Sequence, residues 1–348
     1  MESDMRTSFT ESLEYICLGQ PLKIGNLLGL SLINKADLTE FQTVWSDISS
    51  SRRKMVVEKL VSIAEQRVDV NFDTIFIHCL NDNNEAVQIA AIEGLWENNM
   101  TSLILPLTIL LAHGKTIGVR AAAAKALGHY IYLGELEKID SAFTLVAEQT
   151  LLTAIGKSDE DIEVKRRAVE SIAFSGKKGI AQIIENAYYH EDERMQVSAV
   201  FAMGRNGDDR WQDIVIEEID NPNPEFRFEA TRACGELMLS QSVSTLIDSI
   251  EIETDIEVML NIIWALGQIG GNAAQDTLQK LMYLDDENIH SAVEDAIRET
   301  RLWGDMLSDV FSYTIGSIGL LDEHDEHDKD DEEDWEYDGD FYTYTLND

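Results

Sequence analysis

The sequence has few of the residues that interrupt helices or cross-link small folds. Only 4 of its 348 residues are proline and only 3 are cysteine. Because proline ends or kinks helices, and because no segment alternates apolar and polar residues as a half-buried strand would, we expect an all-α protein. Cys79 and Cys234 fall at core-like helical positions and Cys17 lies in a separate apolar helix, so we expect no disulfide framework.

Positively charged residues and long apolar runs are scarce as well. The chain has 27 Lys and Arg against 65 Asp and Glu, a net charge of −38. We therefore expect no nucleic-acid or membrane partner, and instead a basic protein. The start, Met1 to Asp4, lacks a signal-peptide profile, and the apolar run 103–112 is about half of the ~20 residues that cross a bilayer. These features predict a soluble, cytoplasmic protein.

What the sequence does contain is a repeat. Seven ten-residue windows superimpose almost without gaps, and their first residues are 32, 45, 31, 31, 32 and 31 positions apart. The windows are 87–96, 119–128, 164–173, 195–204, 226–235, 258–267 and 289–298. A period in this range is typical of a helical solenoid, in which each unit buries its apolar face only against its neighbours.

The columns of this alignment have physical reasons. The first position is bulky and apolar, and the eighth is small, which lets a neighbouring helix approach closely. The tenth position is glycine in four windows: Gly128, Gly204, Gly235 and Gly267. Three residues before six of the windows stands a helix-capping side chain: Asn84, Asp161, Asp192, Asn223, Asp255 or Asp286. Each window is therefore predicted to form a helix behind a capped turn.

A second amphipathic stretch precedes each window, so the predicted unit is helix, turn, helix. An eighth, degenerate copy of the window spans 55–64. The 45-residue step adds 14 residues to the commonest spacing, within 132–150, and two readings are open: a longer first helix or an inserted one.

The pattern Asp-x-x-Val-[Arg/Lys/Gln]-x-x-Ala-x-x-x-Leu-Gly, seen from Asp161 to Ala168 and from Val119 to Gly128, resembles HEAT repeats. The short period resembles the variety found in phycobilin lyases and many bacterial proteins. The resemblance covers about 41–303 and implies a right-handed α-α superhelix, a HEAT-like solenoid of about eight helical hairpins. We expect an N-terminal helical cap at 1–40, the solenoid at 41–303 and an acidic, largely disordered tail at 304–348.

In HEAT-like solenoids the second helix of each unit lines the concave face. Window positions that break the small-and-apolar rule should point into that face, and they hold Arg and aromatic side chains, the types enriched at binding hot spots. The candidate protein-binding residues are Arg166, Arg167, Phe201, Phe228, Arg232 and Trp264. The alternative is that the three aromatic side chains belong to the core between repeats. At the second position of their windows stand Arg120, Lys165 and Arg227. These side chains are expected to pair with carboxylates in the turns of neighbouring repeats.

The tail is the second candidate binding element. Between Asp322 and Asp340 there are 13 acidic residues against Lys329 alone. Trp335 and Tyr337 lie within this acidic stretch, which suits a segment that docks on a basic, partly apolar surface. Two alternatives stay open: a tail that only confers solubility, and a tail that folds back into its own groove.

Motifs for catalysis are missing. The sequence has no phosphate-binding glycine loop, nucleophile elbow or Cys-x-x-Cys. Some HEAT-like proteins hydroxylate a modified lysine through His-Glu pairs that hold two irons, but His190-Glu191 is the single such pair here. We expect no catalytic residues, metal or cofactor, and predict a non-catalytic scaffold or dedicated chaperone. The alternative, implied by the resemblance, is a phycobilin-lyase-like enzyme acting on a tetrapyrrole-carrying protein.

Overall fold

The structure, a computed structural model, describes residues 7–284 and 286–300. These residues belong to a structural unit that ends at Thr300. The predicted acidic tail, 304–348, lies outside the described residues, as do Trp335 and Tyr337. The predicted domain boundaries therefore stay predictions.

The described residues form helices and turns and contain no strand. The α-helices are α1 (Phe9–Cys17), α2 (Lys35–Trp45), α3 (Ser50–Gln66), α4 (Asp73–Cys79), α5 (Glu85–Gly94), α6 (Ile104–His113), α7 (Ile117–Glu135), α8 (Ser141–Gly156), α9 (Ile162–Ile172), α10 (Ile180–Tyr188), α11 (Glu193–Asn206), α12 (Gln212–Glu217), α13 (Pro224–Glu236), α14 (Val243–Ile252), α15 (Ile256–Ile269), α16 (Asn272–Leu281) and α17 (287–300). Short 3₁₀ helices are Ile24–Asn26, Leu28–Leu30, Thr101–Leu103, Asp209–Trp211, Glu218–Asp220 and Ser240–Ser242.

The six predicted caps are confirmed. The side-chain oxygen of each accepts a hydrogen bond from a backbone amide in the first turn of the following helix, and this satisfies an amide that has no partner within the helix. The distances run from 2.8 Å, at Asp161 to the amide of Glu163, to 3.3 Å, at Asn84 to that of Val87. The other four caps are Asp192, Asn223, Asp255 and Asp286.

Within residues 7–284 and 286–300, consecutive helices follow one another as eight hairpins, beginning with α2 and α3 and ending with α16 and α17. The second helices pack in sequence, α3 on α5, then α7, α9, α11, α13 and α15, and so form one continuous layer. First helices also meet, as α6 does with α8 and α14 with α16. The prediction of an all-α solenoid of about eight hairpins is confirmed.

Glycine at the tenth window position allows the close approach of successive second helices. A Cβ atom built on Gly204 would lie 2.9 Å from the Cα of Ala233, and one on Gly267 would lie 2.9 Å from the Cα of Ala296. Gly128 meets Ser171 in the same way, and the Ser171 hydroxyl donates to the Ala124 carbonyl at 2.8 Å. The glycine column of one repeat thus packs on the small-residue column of the next.

The 45-residue step contains no inserted helix. The added residues lengthen two helices on either side of one turn: α7 has 19 residues and α8 has 16. The prediction of a longer first helix is therefore confirmed for α8. The second helix of the preceding hairpin, α7, is longer too.

The N-terminal segment packs against the first hairpin. Leu27 and Leu30 are fully buried. Arg52 of α3 donates from Nε to the Ile16 carbonyl at 3.0 Å and from Nη1 to the Gln20 carbonyl at 2.7 Å. These contacts tie α1 and the loop after it to α3.

Candidate functional site

The structure brings the six candidate residues of the described chain onto one surface. Arg166 and Arg167 lie on α9, Phe201 on α11, Phe228 and Arg232 on α13, and Trp264 on α15. These four helices pack side by side in the layer of second helices. We call the partly exposed surface that carries these residues the second-helix face.

Between α9 and α11 the face is a network of charged groups. Arg167 contacts Glu163 at 2.9 Å and Glu170 at 2.9 Å. Arg166 contacts Glu163 at 3.1 Å and donates from Nε to the Ser198 hydroxyl at 3.0 Å. Ser198 in turn donates to Glu170 at 2.6 Å. Both arginines are thus neutralised by carboxylates of their own helix, so they add no net positive charge to the face.

Between α11 and α13 the face is built from stacked arginine and aromatic groups. The guanidinium carbon of Arg232 lies 4.2 Å from the centre of the Phe201 ring. Arg205 lies 5.5 Å from that ring and 5.5 Å from the ring of Phe174. The Phe174 ring lies 5.4 Å from that of Tyr132, on α7. A row of aromatic and arginine side chains, in the order Tyr132, Phe174, Arg205, Phe201 and Arg232, therefore crosses four second-helix units.

Tyr132, Phe174 and Arg205 are not among the residues predicted from the sequence. Phe174 and Arg205 each stand ten residues after the start of a window, one position beyond the ten aligned residues. Extending the alignment by one column would have placed an aromatic residue and an arginine at equivalent positions of adjacent repeats. Tyr132 lies on the lengthened end of α7, where the neighbouring repeats have no equivalent residue.

Between α13 and α15 the aromatic residues serve both packing and surface. Trp264 covers Gly235, since a Cβ atom there would lie 2.6 Å from the Trp264 ring, yet 37% of Trp264 is exposed. Asn261 donates to the Phe228 carbonyl at 2.7 Å and to the Thr231 hydroxyl at 2.9 Å. Phe201, Phe228 and Trp264 are therefore half-buried, so each has both a packed side and an accessible side.

A groove of about 470 Å³ runs along this face beside Arg166, Arg167 and Phe228. Val197 and Val258 add apolar wall, and the acidic lining residues are Glu225, Glu229, Asp255 and Glu257. The third arginine of the lining, Arg194, pairs with Asp192 at 2.8 Å. Within the part of the chain that the structure describes, Glu225 and Glu257 make no ion pair, so they leave unbalanced negative charge at the groove.

Glu229 has the most perturbed carboxyl group of the face. Burial raises the pKa of Glu229 to about 7, even though Arg232 lies 3.3 Å away. Glu170 and Glu236 raise the pKa further by repulsion between like charges. The face therefore carries a group that changes its charge near neutral pH.

The predicted pairing of arginines with turn carboxylates is confirmed for Arg120 and Arg227. Arg120 contacts Glu160 at 2.8 Å and Arg227 contacts Glu253 at 2.8 Å, and both carboxylates are almost fully buried. Each arginine also donates to a carbonyl in the turn before its own helix, Gly114 or Asn221. Lys165 makes no such pair among residues 7–284 and 286–300. The arginines thus join successive turns and do not reach the second-helix face.

His190, the histidine of the single His-Glu pair, makes a structural hydrogen bond. The His190 ring accepts from the Asp192 amide at 2.9 Å, within the turn before α11. In the described parts of the chain, no three His, Cys, Asp or Glu side chains gather as metal ligands would. Cys79 and Cys234 are buried and Cys17 is exposed. Across residues 7–284 and 286–300, every helix is too short or too polar to span a membrane.

The fold and this face define the class of the protein, an α-solenoid of stacked helical hairpins with a mixed aromatic and charged surface on its second helices. The family model for HEAT repeats matches residues 212–298. This range contains α12 to α16 and most of α17, so the predicted HEAT repeats are confirmed there. The closer resemblance to phycobilin lyases stays a prediction.

Several solved structures are similar to this one. YibA of Escherichia coli is 17% identical with a TM-score of 0.45, over 82% of this chain and 98% of YibA. Human deoxyhypusine hydroxylase is 14% identical with a TM-score of 0.34, over 84% of this chain and 96% of the hydroxylase. Kap95p, solved with RanGDP, is 12% identical with a TM-score of 0.39, over 84% of this chain and 41% of Kap95p.

No curated protein matches the sequence.

Proposed function

We propose that the protein is a non-catalytic scaffold or adaptor that binds a basic protein through the second-helix face. The observation that carries the proposal is the groove beside Phe228, where apolar wall lies next to the unpaired carboxylates of Glu225 and Glu257. A partner segment with alternating apolar and Lys or Arg side chains would contact both the apolar wall and the acidic residues of the groove.

Charge favours this choice of partner. The chain carries a net charge of −38, so long-range attraction steers a basic protein towards it and repels an acidic one. On the face itself, Arg166, Arg167 and Arg232 are held by carboxylates, so a basic segment meets no free guanidinium there. The same pairs hold the side chains in place before binding, which lowers the entropy that binding costs.

The HEAT-repeat fold also fits a scaffold, because it is a fold used mainly for binding. In this proposal the acidic tail adds to the attraction of the partner, with Trp335 and Tyr337 supplying contact area. The protein works in the cytoplasm, without a metal or cofactor.

The test is capture of proteins on the full chain, compared between two double charge reversals. Glu225→Lys with Glu257→Lys changes the groove, and Glu40→Lys with Glu97→Lys makes the same change in charge on α2 and beyond the end of α5. We expect basic proteins whose recovery falls about tenfold with the groove variant and is unchanged with the control. Recovery should also fall as salt rises from about 50 to 500 mM, because salt screens exposed charges.

Equal recovery with both variants would contradict binding at the groove. A shifted visible absorption band on mixing the protein with a bilin or haem would instead support the tetrapyrrole alternative. Loss of recovery on deletion of 322–348 alone would assign the binding to the tail.

A further inference from the structure

The first helices of two neighbouring hairpins expose apolar side chains to solvent. On α6, Leu105 is 61% exposed and Ile109 is 51% exposed. On α8, Phe143, Leu145, Val146 and Leu152 are 39–49% exposed. Because α6 and α8 pack on each other and bury their other sides against α7 and α9, these side chains lie on the side away from the second helices. We call this surface the outer apolar face.

Neither α6 nor α8 has an exposed Asp, Glu, Lys or Arg side chain, and the exposed His113 stands one turn after Ile109, at the end of α6. The one charged residue of the two helices other than His113 is Glu148, which is buried and paired with Lys177. The corresponding positions of the next hairpins are polar: Gln182 and Asn186 are exposed on α10, and Asp213 and Glu217 on α12. The apolar surface therefore does not continue onto α10 and α12.

An exposed cluster of six large apolar side chains marks an interaction surface in a chain that is otherwise strongly acidic. The occupant can be argued from charge. A basic segment would have to give up its hydration against this face with no carboxylate to receive it, at an unrecovered cost. An uncharged apolar surface meets this one without desolvating an ion, and a second copy of the same face is such a surface.

We propose that the outer apolar face joins two copies of this chain in a two-fold symmetric dimer. In such a contact the same patch is used on both copies, so Ile109 and Leu145 of each pack against the other's α6 and α8. The remaining surface of each copy is acidic, with 65 Asp and Glu in the chain. Repulsion between the two copies opposes association by every surface, and the apolar contact is what offsets it.

This charge distribution predicts an unusual salt dependence. Added salt screens the repulsion between two bodies of charge −38, so the dimer should tighten as salt rises. Binding of a basic partner at the second-helix face should weaken over the same range. A salt titration therefore distinguishes the dimer from binding of a basic partner, because the two respond to salt in opposite directions.

The test is sedimentation velocity on the full chain from about 1 to 100 μM. We expect a species of twice the 39.2 kDa of one chain. Ile109→Glu places two carboxylates at the centre of the contact and should raise the dissociation constant about tenfold or more. Asn186→Glu, which adds the same charge on the outer side of α10, is the matched control and should leave the dimer unchanged.

Leu152→Lys serves as a second variant on α8 and should also weaken the dimer, and helical circular dichroism confirms that each variant is folded. A wild-type chain that stays monomeric at 100 μM overturns the proposal and leaves the face to another partner. A dimer that survives both Ile109→Glu and Leu152→Lys overturns it as well, because another surface then forms the contact.

Discussion

Arg232 of α13 lies over the ring of Phe201 of α11, with its guanidinium carbon 4.2 Å from the ring centre. The same guanidinium contacts Glu236 at 2.8 Å and Glu229 at 3.3 Å. One side chain thus joins two successive repeats by a cation–π contact and two ion pairs. Arg232 and Phe201 therefore have two roles, since they pack α13 against α11 and also form part of the second-helix face.

We expect Phe201 and Arg232 to be coupled in stability. A double-mutant cycle with Phe201→Leu and Arg232→Met should give a coupling free energy of about 0.5–2 kcal/mol, since the contact is partly desolvated. The free energy of unfolding in urea measures it. The matched control is Arg210 with Trp211, where the separation is 5.6 Å and the arginine is half-exposed. Equal coupling in the two pairs would contradict the role assigned to Arg232.

The close approach of second helices predicts opposite effects of two glycine substitutions. Gly267→Ala places a methyl group 2.9 Å from the Cα of Ala296 and should destabilise the chain by about 1–3 kcal/mol, because the backbone must move. Gly156→Ala has no atom within 4 Å and should stabilise it by up to about 1 kcal/mol, because alanine restricts the unfolded chain. Thermal unfolding of both variants measures the sign. Stabilisation by Gly267→Ala would show that the repeats do not pack as described.

The pairs between turns should contribute more than ordinary surface ion pairs. Arg227→Met leaves the buried carboxylate of Glu253 with only backbone amides as donors and should cost about 1–3 kcal/mol of unfolding free energy. Arg194→Met removes an exposed pair with Asp192 and should cost less than about 1 kcal/mol.

Hydrogen bonds from Arg227 hold the pKa of Glu253 below its ordinary value. The stabilisation is therefore present above the pKa of the unfolded chain and is lost as pH falls through the folded value. A difference between wild type and Arg227→Met that persists unchanged into strong acid would be inconsistent with this pair.

The raised pKa of Glu229 predicts a second pH dependence of stability, opposite in sign to that of Glu253. Burial raises the pKa of Glu229 to about 7, from 4.5. Between these values the folded state keeps a proton that the unfolded state has lost, so stability falls as pH rises from about 4.5 to 7 and is level above. The loss is about 3–4 kcal/mol, at ~1.4 kcal/mol per pKa unit. Glu229→Gln, measured against wild type at each pH, should remove this slope, and a parallel slope in both proteins would exclude Glu229 as its source.

The sequence predicted the repeats because each unit must meet its neighbours in the same way. Capping residues such as Asp161, the small column and the glycines at Gly204 and Gly267 recur for that reason, and all were read correctly. The lengthening of α7 and α8 could be located but not assigned to a helix, since periodicity alone does not fix where a helix ends.

The candidate face was predicted only in part. Arg166, Arg232 and Trp264 could be placed on one surface from the repeat spacing, because equivalent positions stack. Their partners could not be predicted, since a pair such as Arg166 with Ser198 depends on the rotation of α9 against α11. The outer apolar face was not predicted for a related reason: the apolar run 103–112 is visible in the sequence, but only the packing shows which side of α6 and α8 stays exposed.

The most direct test of the central claim is site-specific photo-cross-linking in cells. A photoreactive phenylalanine analogue replaces Phe228, in the groove of the second-helix face, or Tyr189, which is 72% exposed on the turn after α10. The account predicts a covalent adduct with a basic protein from position 228, lost when Glu225 and Glu257 are changed to Lys, and none from position 189. No adduct at 228, or the same adduct from both positions, would contradict it.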